Sequence, residues 1–328
     1  MSEKDGELEG CPLERVEGRQ PFSRSDFTSR LGTTLMSRST GTAAGLQIER
    51  LEPRDAEGVA PLSVEAGWNQ IADDWRLMLG EGRAFGIRDA SGTWIASALV
   101  LALGPAISWV SMVLVTKRAR RQGLGSRLLQ RCLAEVEASG VAAGLDATEL
   151  GRPVYLPLGF RDVYPLSRWR AEAGARRSVA PPPGVRVRPA TGQDLLRIVA
   201  CDQGSSGFAR GRILEHLLSR APALARAAER ADGSLAGYAL GRNGHSAMHI
   251  GPIVADDEAI AMALLSSAMA SMTEPAILDV PDRHRSITEW LSARGASAPR
   301  TFMRMLRGRR PAVEDAAKVF ALAGPELA

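Results

Sequence analysis

The sequence predicts an α/β (α+β) fold built from two similar halves that a proline-rich linker joins. Apolar, β-branched runs of strand length alternate with longer segments of helical periodicity, which is the pattern of a mixed α/β protein. Three consecutive prolines within residues 174–184 exclude a helix interior and favour an extended connection. Strand, turn and helix signals occur in the same order on both sides of this linker. A single continuous α/β sheet is the alternative to two repeated domains.

The repeat is one of layout rather than of sequence identity. Each half opens with a short strand and a proline before an acidic helix start, as in IERLEPRD at 48–55 and VRVRPATGQD at 185–194. Each half then has a hairpin-type turn between apolar runs, at Ser91-Gly92 and at Asp232-Gly233. This shared order predicts an ancient duplication.

Composition favours a soluble, cytoplasmic protein with room for two domains. Of its 328 residues, 45% are apolar and 24% are charged, as is usual for a globular chain. Apolar stretches such as Trp94–Leu103 are shorter than the roughly 20 residues that cross a bilayer, and residues 1–10 lack the hydrophobic segment of a signal peptide. The three cysteines form no zinc-type pattern, so we expect no bound metal.

Residues 107–140 carry the most informative pattern. Nine mostly apolar residues predict a buried strand ending near Val115, and leucines at helical spacing predict a following helix that Gly140 caps. Between strand and helix lies KRARRQGLGS, in which four cations lead into Gly123 and Gly125. Glycine allows close backbone approach, and a helix N-terminus presents unpaired N–H groups with a partial positive charge. The segment therefore predicts a binding site for a pyrophosphate.

A less specific interpretation of the same loop is a tight Gly-x-Gly turn with solvated arginines. The strand before it, the helix after it and the four cations together favour the anion site. The spacing does not match other phosphate loops, because no Gly-Lys-Ser/Thr follows and the GxGxxG pattern of dinucleotide sites is absent.

The loop and its surroundings resemble the GNAT superfamily of acyl-CoA-dependent acyltransferases. VTKRARRQGLG at 115–125 matches the signature V-x-P-x-x-R/Q-x-x-G-x-G/A, with Lys117 in place of the usual proline. GWNQIADDW, LDAT and GRPVYLPLGF also occur in the family's order, so the resemblance covers nearly all of residues 46–172. It implies two tandem GNAT-like domains, each a mixed, mostly antiparallel sheet flanked by helices.

The resemblance implies that the loop holds acetyl-CoA as cosubstrate. In the family, the strand before the loop pairs its backbone with the pantetheine arm, which assigns the arm to Val113, Leu114 and Val115. A backbone N–H near Leu114 would then polarise the thioester carbonyl. The family's loop amides hold the pyrophosphate, and the matching residues are Arg120, Arg121, Gln122, Gly123, Leu124, Gly125 and Ser126.

Tyr155 is the residue that the resemblance implies as proton donor to the departing thiolate. YLPLGF at 155–160 matches the family's Y-x-x-L-G-F, whose tyrosine reaches the sulfur. The alternative is a tyrosine packed under a helix with its hydroxyl bonded locally. Glu149 follows the strand that carries Leu145–Thr148 and is the predicted base for the acceptor amine, directly or through a water.

Three residues are predicted to contact the acceptor. Asn69 and Asp74 lie in the helical segment that usually borders the family's acceptor site, and helix capping or surface solvation is their alternative role. Asp146 is close in sequence to Glu149 and has stabilisation of a strand end as its alternative. Trp68 and Trp75 are predicted as core residues.

The second half is predicted to have lost the phosphate loop. After its equivalent strand, HIGPIV at 249–254, the sequence reads ADDEAIAMALL, with neither glycines nor arginines. Acids at the start of a helix suit its dipole but would repel a diphosphate. We therefore expect this half not to bind CoA. It remains a candidate for lining the acceptor site, since clefts between domains are common ligand sites.

These patterns predict an N-acetyltransferase that moves acetyl from acetyl-CoA to a primary amine of a small molecule by direct attack. A CoA-binding sensor or scaffold without turnover is the alternative. Nucleic-acid binding is disfavoured because aromatics are 5% of the chain and no recognition motif is present. We expect a monomer or homodimer that contacts no membrane. The predicted parts are a disordered tail at 1–44, a catalytic GNAT domain at 45–173, a linker at 174–184, a degenerate GNAT-like domain at 185–308 and a C-terminal tail at 309–328.

Overall fold

The computed structural model describes residues 45–173, 178–270, 272–308 and 315–328. The tail predicted at 1–44 lies outside these ranges. The strands of the first half are β1 (Glu49–Leu51), β2 (Gly82–Arg88), β3 (Trp94–Ala102), β4 (Ile107–Val115), β5 (Ala142–Thr148) and β6 (Arg161–Ala171). Its helices are α1 (Ala56–Glu65), α2 (Ala72–Glu81), α3 (Leu124–Ser139) and α4 (Arg152–Tyr155).

The second half repeats the element order of the first. Its strands are β7 (Val185–Pro189), β8 (Arg226–Arg230), β9 (Leu235–Arg242), β10 (Met248–Ala255), β11 (Ala276–Pro281) and β12 (Ser297–Arg307), followed by β13 (Val319–Ala321). Its helices are α5 (Leu195–Ser206), α6 (Gly211–Arg220), α7 (Glu258–Ala270) and α8 (Arg285–Ser292). The predicted repeat of layout is therefore confirmed.

Individual predicted elements are also confirmed. β4 ends at Val115, and α3 follows with Gly140 as its C-cap in the left-handed conformation at φ +69°. Gly92 and Gly233 adopt φ +81° in the turns of two antiparallel hairpins, β2–β3 and β8–β9. Positive φ is a conformation that glycine adopts without the steric cost of a Cβ, so these turn predictions have a direct physical basis.

Over the described residues, all strands join one sheet. Its order is β1-β2-β3-β4-β5-β12-β6-β11-β10-β9-β8-β7, and β13 pairs with β10. The pairs β4–β5 and β10–β11 are parallel, while the other pairs along this order are antiparallel. The fold is therefore both a repeat and a continuous sheet, so the two alternatives raised by the sequence are not exclusive.

The halves exchange their last full-length strands. β12 of the second half lies against β5, with Phe302 opposite Thr148, and β6 of the first half lies against β11, with Ala171 opposite Ala276. β6 and β12 pair with each other at the centre of the sheet. Because strand pairing satisfies backbone amides, each half depends on the other to complete its hydrogen bonding.

Helices cover the sheet through apolar faces. In α3, Leu128, Cys132 and Val136 are buried on one face and pack in one cluster with Phe85 and other sheet residues. Complete burial of a leucine-sized side chain stabilises the fold by roughly 1.5–3 kcal/mol. Within the described ranges, no helix combines the length and apolar character needed to cross a bilayer.

The C-terminal segment, residues 319–328, is buried rather than a tail. It begins with β13 and continues as mostly apolar residues that are almost entirely covered. Arg210 Nη1 donates to the carbonyl oxygen of Leu327 at 3.0 Å, and the side chain of Arg242 donates to that of Ala323 at 2.6 Å. Its apolar composition, VFALAGPELA, explains why it packs inside the protein.

Candidate active site

A bulge bends β4 at the centre of the first half. Met112 has φ +52°, and the register between β3 and β4 shifts between Ser97 and Leu99. Ser97 Oγ donates a hydrogen bond to the carbonyl oxygen of Met112 at 2.9 Å. This bond holds a backbone conformation that a non-glycine residue rarely adopts, and bulges of this kind redirect a strand.

β4 and β5 separate after Trp109, just before the bulge. Their parallel pairing runs from Ile107–Trp109 on β4 to Ala142–Gly144 on β5, and β4 continues to Val115 on its own path. A cleft of about 990 Å³ opens beside the separated strands. Among its lining residues are Val113, Leu114, Val115, Arg120, Arg121, Gly123, Leu124, Gly125 and Ser126. Of the residues predicted to bind the cosubstrate, Gln122 is the one that does not line the cleft.

The loop before α3 presents backbone amides to this cleft. Arg121 and Gly123 adopt φ +63° and +77°, so the chain turns sharply into the helix. The first bond within α3 runs from the N–H of Arg127 to the carbonyl oxygen of Gly123 at 3.0 Å. The amides of Leu124, Gly125 and Ser126 therefore precede the helical hydrogen-bond ladder, where the positive end of the helix dipole attracts anions.

The four cations of the loop have different surroundings. Arg118 forms an ion pair with Asp89, and the backbone N–H of Lys117 donates to Glu65. Neither Lys117 nor Arg118 lines the cleft. Arg120 and Arg121 line the cleft. A hydrogen bond from Arg120 Nε to the carbonyl oxygen of Val115 at 3.1 Å keeps the Arg120 guanidinium beside the end of β4.

The cleft fits an acyl-CoA in the chemistry of its donors and in its open space. A Cβ added to Gly125 would point toward β4, at 3.4 Å from Val115 Cγ2 and 4.0 Å from Val113 Cγ1. Because Gly125 has no side chain, the space between the start of α3 and β4 stays free. Both of these elements line the cleft. The guanidinium groups, free amides and apolar strand match a pyrophosphate joined to a pantetheine arm.

Tyr155 lies where the wide cleft meets a second, smaller cavity. Residues lining both spaces are Trp68, Val113, Thr148, Gly151, Tyr155 and Arg300. The Tyr155 ring packs edge-to-face on Phe160, with 5.8 Å between centroids. Burial raises the pKa of the Tyr155 hydroxyl to about 12, so this group stays protonated and able to donate near neutral pH. Trp68 packs against the hydrophobic core, as predicted, and also forms part of both cavity walls.

The smaller cavity has a volume of about 140 Å³ and contains Asp146 in its wall. Arg304 binds Asp146 through two contacts, Nε to Oδ1 at 2.9 Å and Nη2 to Oδ2 at 3.0 Å. Glu149 lines the wide cleft instead, is exposed, and accepts a hydrogen bond from Thr301 Oγ1 at 2.8 Å. Asp146 thus lines the small cavity and Glu149 lines the wide cleft, and the two spaces meet at Tyr155.

Asn69 and Asp74 line neither space and connect the two halves. Asn69 Nδ2 donates to the carbonyl oxygen of Ala247 at 2.9 Å, and Asn69 Oδ1 accepts from the N–H of Ser246 at 2.9 Å. Asp74 Oδ1 accepts from Arg220 Nη1 at 2.7 Å, and its Oδ2 caps α2 through the N–H of Ile71 at 2.8 Å. Asp74 thus caps a helix, which was one of its alternative roles, whereas Asn69 neither caps a helix nor faces solvent and is buried between the halves.

The cavity-lining residues that the sequence did not indicate include Gln70, Arg300 and Glu326. Glu326 is 2% exposed and forms an ion pair with Arg242. Burial raises the pKa of Glu326, although Arg242 acts in the opposite direction. The sequence signal that could have indicated Glu326 is its position as a single acid within the apolar run VFALAGPELA. Arg300, by contrast, reaches the site through the strand exchange of β12, which no local pattern indicates.

In the second half, protein backbone fills the gap that is open in the first. β10 pairs with β11 at Met248–His249, and β13 pairs with β10 near its end, with Ile253 opposite Ala321 and Val254 opposite Val319. The N–H of Leu322 donates to the carbonyl oxygen of Asp279 on β11 at 2.9 Å. The helix after this strand also starts on acids, since Asp257 Oδ1 caps α7 by accepting from the N–H of Ile260 at 2.9 Å.

Comparisons with known proteins agree with this architecture. Two family models described as an acetyltransferase (GNAT) domain match residues 73–174 and 198–321. The uncharacterised N-acetyltransferase YitH of Bacillus subtilis is 26% identical over 250 residues, which are 76% of this chain and 87% of YitH.

Solved structures show the same fold. A Pyrococcus horikoshii protein has a TM-score of 0.69 at 18% identity, covering 89% of this chain and 99% of its own. A tandem GNAT protein from the clavulanic acid biosynthesis pathway has a TM-score of 0.59 at 13% identity, covering 81% and 100%. With one acetyltransferase domain matched in each half, the chain belongs to the GNAT acetyltransferases, as a tandem of two such domains.

Proposed function

We propose that this protein is an N-acetyltransferase that moves acetyl from acetyl-CoA to the primary amine of a small molecule. The observation that carries the proposal is the junction at Tyr155, where the wide cleft and the small cavity share their walls. A thioester in the cleft and an amine in the cavity would meet beside this hydroxyl. Holding two reactants in line in this way contributes a large part of catalysis by direct transfer.

The first half alone holds the acetyl donor in this proposal. The amides of Leu124–Ser126 and the side chains of Arg120 and Arg121 bind the pyrophosphate, and the backbone of Val113–Val115 lies along the pantetheine arm. The closed gap between β10 and β11 supports a single donor site, because β13 occupies the matching position in the second half. When bound, acetyl-CoA supplies a thioester whose carbonyl carbon accepts the amine.

The transfer itself needs two proton movements. The amine nitrogen forms a bond to the carbonyl carbon, the C–S bond breaks, and the Tyr155 hydroxyl donates its proton to the leaving sulfur. The position of Tyr155 in the walls of both spaces supports this role, and its hydroxyl is protonated near neutral pH, as an unperturbed tyrosine also is. Glu326 lies in the wall of the amine's cavity and is placed to accept the amine proton, whereas Glu149 lines the cleft.

Thiol release from acetyl-CoA across a panel of small primary amines tests the proposal. Mass spectrometry should detect a product heavier than the amine by one acetyl group. If calorimetry detects acetyl-CoA binding but no amine gives thiol release, the sensor function is supported instead. An acetylated lysine on a peptide tail with every small amine inactive would also contradict the small-molecule assignment.

A further inference from the structure

Two polar groups in the small cavity have no hydrogen-bond partner within the described ranges. One is an acceptor, Gln70 Oε1, and the other is a donor, the Arg300 guanidinium. Gln70 is 2% exposed, and its side chain donates a hydrogen bond to Glu326. Its Oε1 atom is buried and accepts no hydrogen bond from any residue in the described ranges. Because a buried acceptor without a donor costs roughly 1–3 kcal/mol, this atom favours a ligand that brings an N–H group.

Arg300, in contrast, requires an acceptor, because its guanidinium carries only N–H donors. Its guanidinium makes no hydrogen bond or ion pair with the residues that the structure describes, although it is partly buried. Burial, followed by the nearby Arg168, lowers the pKa of Arg300, although the charge of Asp279 acts in the opposite direction, and a guanidinium remains charged at neutral pH. A partly desolvated cation of this kind is stabilised by an anion, and a carboxylate matches its planar donors.

The other charges in the cavity wall are compensated. Arg168 binds Asp279 through two contacts at 2.8 and 2.7 Å, and Asp146 is bound by Arg304. Glu326 pairs with Arg242, whose Nε also lies 3.0 Å from Asp74 Oδ1. Among the charged residues that line this cavity, the one that forms no ion pair within the described ranges is therefore Arg300, since the nearby Asp279 is bound by Arg168.

We propose, on the basis of the function proposed above, that the acceptor is a small amine that also carries a carboxylate, such as an amino acid. Its carboxylate binds Arg300, and its amine nitrogen donates to Gln70 Oε1 and faces Glu326. One ligand thus satisfies both unpartnered groups. The cavity volume of about 140 Å³ agrees with a small acceptor, since pockets for drug-sized ligands run to about 300–1,000 Å³.

The test compares small amino acids, such as glycine and alanine, with their neutral carboxamides as acetyl acceptors. Rates are compared at pH values where each amine is unprotonated, so that the carboxylate is the tested difference. The wild-type protein should favour the amino acids. Arg300→Gln should lower kcat/KM for amino acids by about 10- to 100-fold, the range expected for a lost charged hydrogen bond, and change the carboxamide rates by less than about threefold.

Two variants and one binding measurement separate the possible reasons for a loss. Arg300→Lys keeps the charge and should retain part of the preference. Arg170→Gln is a matched control, because Arg170 lines neither space and pairs with Glu172 on the surface. Calorimetry with acetyl-CoA should give the same Kd for Arg300→Gln and wild type.

The outcomes distinguish this inference from the function on which it rests. Equal use of amino acids and carboxamides by the wild type would overturn the inference and leave an N-acetyltransferase. So would a loss of acetyl-CoA affinity in Arg300→Gln with an unchanged ratio of the two acceptor types, since Arg300 would then serve the cosubstrate. Failure of every amine, with or without a carboxylate, would contradict the proposed function as well.

Discussion

Trp109 donates its indole N–H to the carbonyl oxygen of Pro325 at 2.8 Å, which joins β4 of the first half to the C-terminal segment. Next along the segment, the carbonyl oxygen of Glu326 accepts from Ser111 Oγ at 3.3 Å. The segment thereby passes from the closed gap of the second half to the small cavity of the first. One half thus supplies a wall of the other half's candidate site.

We expect Trp109→Phe to lower the free energy of unfolding by roughly 2–4 kcal/mol, because it removes ring volume and the donor to Pro325. Urea denaturation gives this value. Trp290→Phe is the control, since the indole N–H of Trp290 has no partner in the described part of the chain. Equal losses for the two variants would mean that the Trp109–Pro325 bond contributes little to stability.

Tyr155→Phe should reduce kcat by about 10²- to 10⁴-fold, as expected when a positioned general acid is removed. Its ring contact with Phe160 is preserved, so acetyl-CoA affinity by calorimetry should not change. Steady-state thiol release is the measurement. Tyr164→Phe, which changes a tyrosine outside both cavity walls, is the control. Equal rates for Tyr155→Phe and wild type would remove Tyr155 from the mechanism.

The pH profile of kcat follows from the raised pKa of Tyr155. The hydroxyl must be protonated to act as an acid, so activity is lost as pH rises through its folded-state pKa of about 12. An ordinary tyrosine would give this loss near pH 10. We therefore expect kcat at saturating substrate to stay level up to about pH 10. A decline centred near pH 10 would show that the hydroxyl is not shielded from water.

Two glutamates compete for the role of base, and matched substitutions rank them. Glu326→Gln should lower kcat/KM by about 10²-fold, whereas Glu149→Gln should change it by less than about threefold. The raised pKa of Glu326 also predicts an acid limb, because kcat/KM falls as pH drops through that pKa and the carboxylate is protonated. Parallel kinetics of both variants measure this. The opposite ranking would support Glu149, the residue predicted from the sequence.

Local sequence patterns predict the cosubstrate side of the candidate site, because one continuous stretch of the chain forms it. The strand ending at Val115, the loop glycines and the helix capped by Gly140 lie within one continuous stretch, and their spacing dictates their geometry. The fold of each half also follows from short-range signals, since hairpin turns and helix starts repeat in order. These elements need no information about which distant strands pair.

The acceptor side could not be predicted in the same way. Arg300 and Glu326 reach the small cavity from the second half, through the exchange of β12 and the docking of the C-terminal segment. Strand pairing over such distances depends on the complete sheet rather than on any local run. The same cause misled the interpretation of Asn69, whose polar atoms bind the turn before β10.

Calorimetry of acetyl-CoA binding to wild type and Gly125→Ala tests whether the start of α3 holds the cosubstrate. The new methyl group would make ordinary contacts with β4, and alanine favours a helix over glycine, so the protein should be no less stable. Gly80→Ala, in an exposed helical position with open space around it, is the control. We expect wild type and Gly80→Ala each to bind one acetyl-CoA, and Gly125→Ala to bind it at least about tenfold more weakly, equivalent to about 1.4 kcal/mol. Absence of binding to the wild type, or equal affinity in all three proteins, would show that the start of α3 does not hold acetyl-CoA.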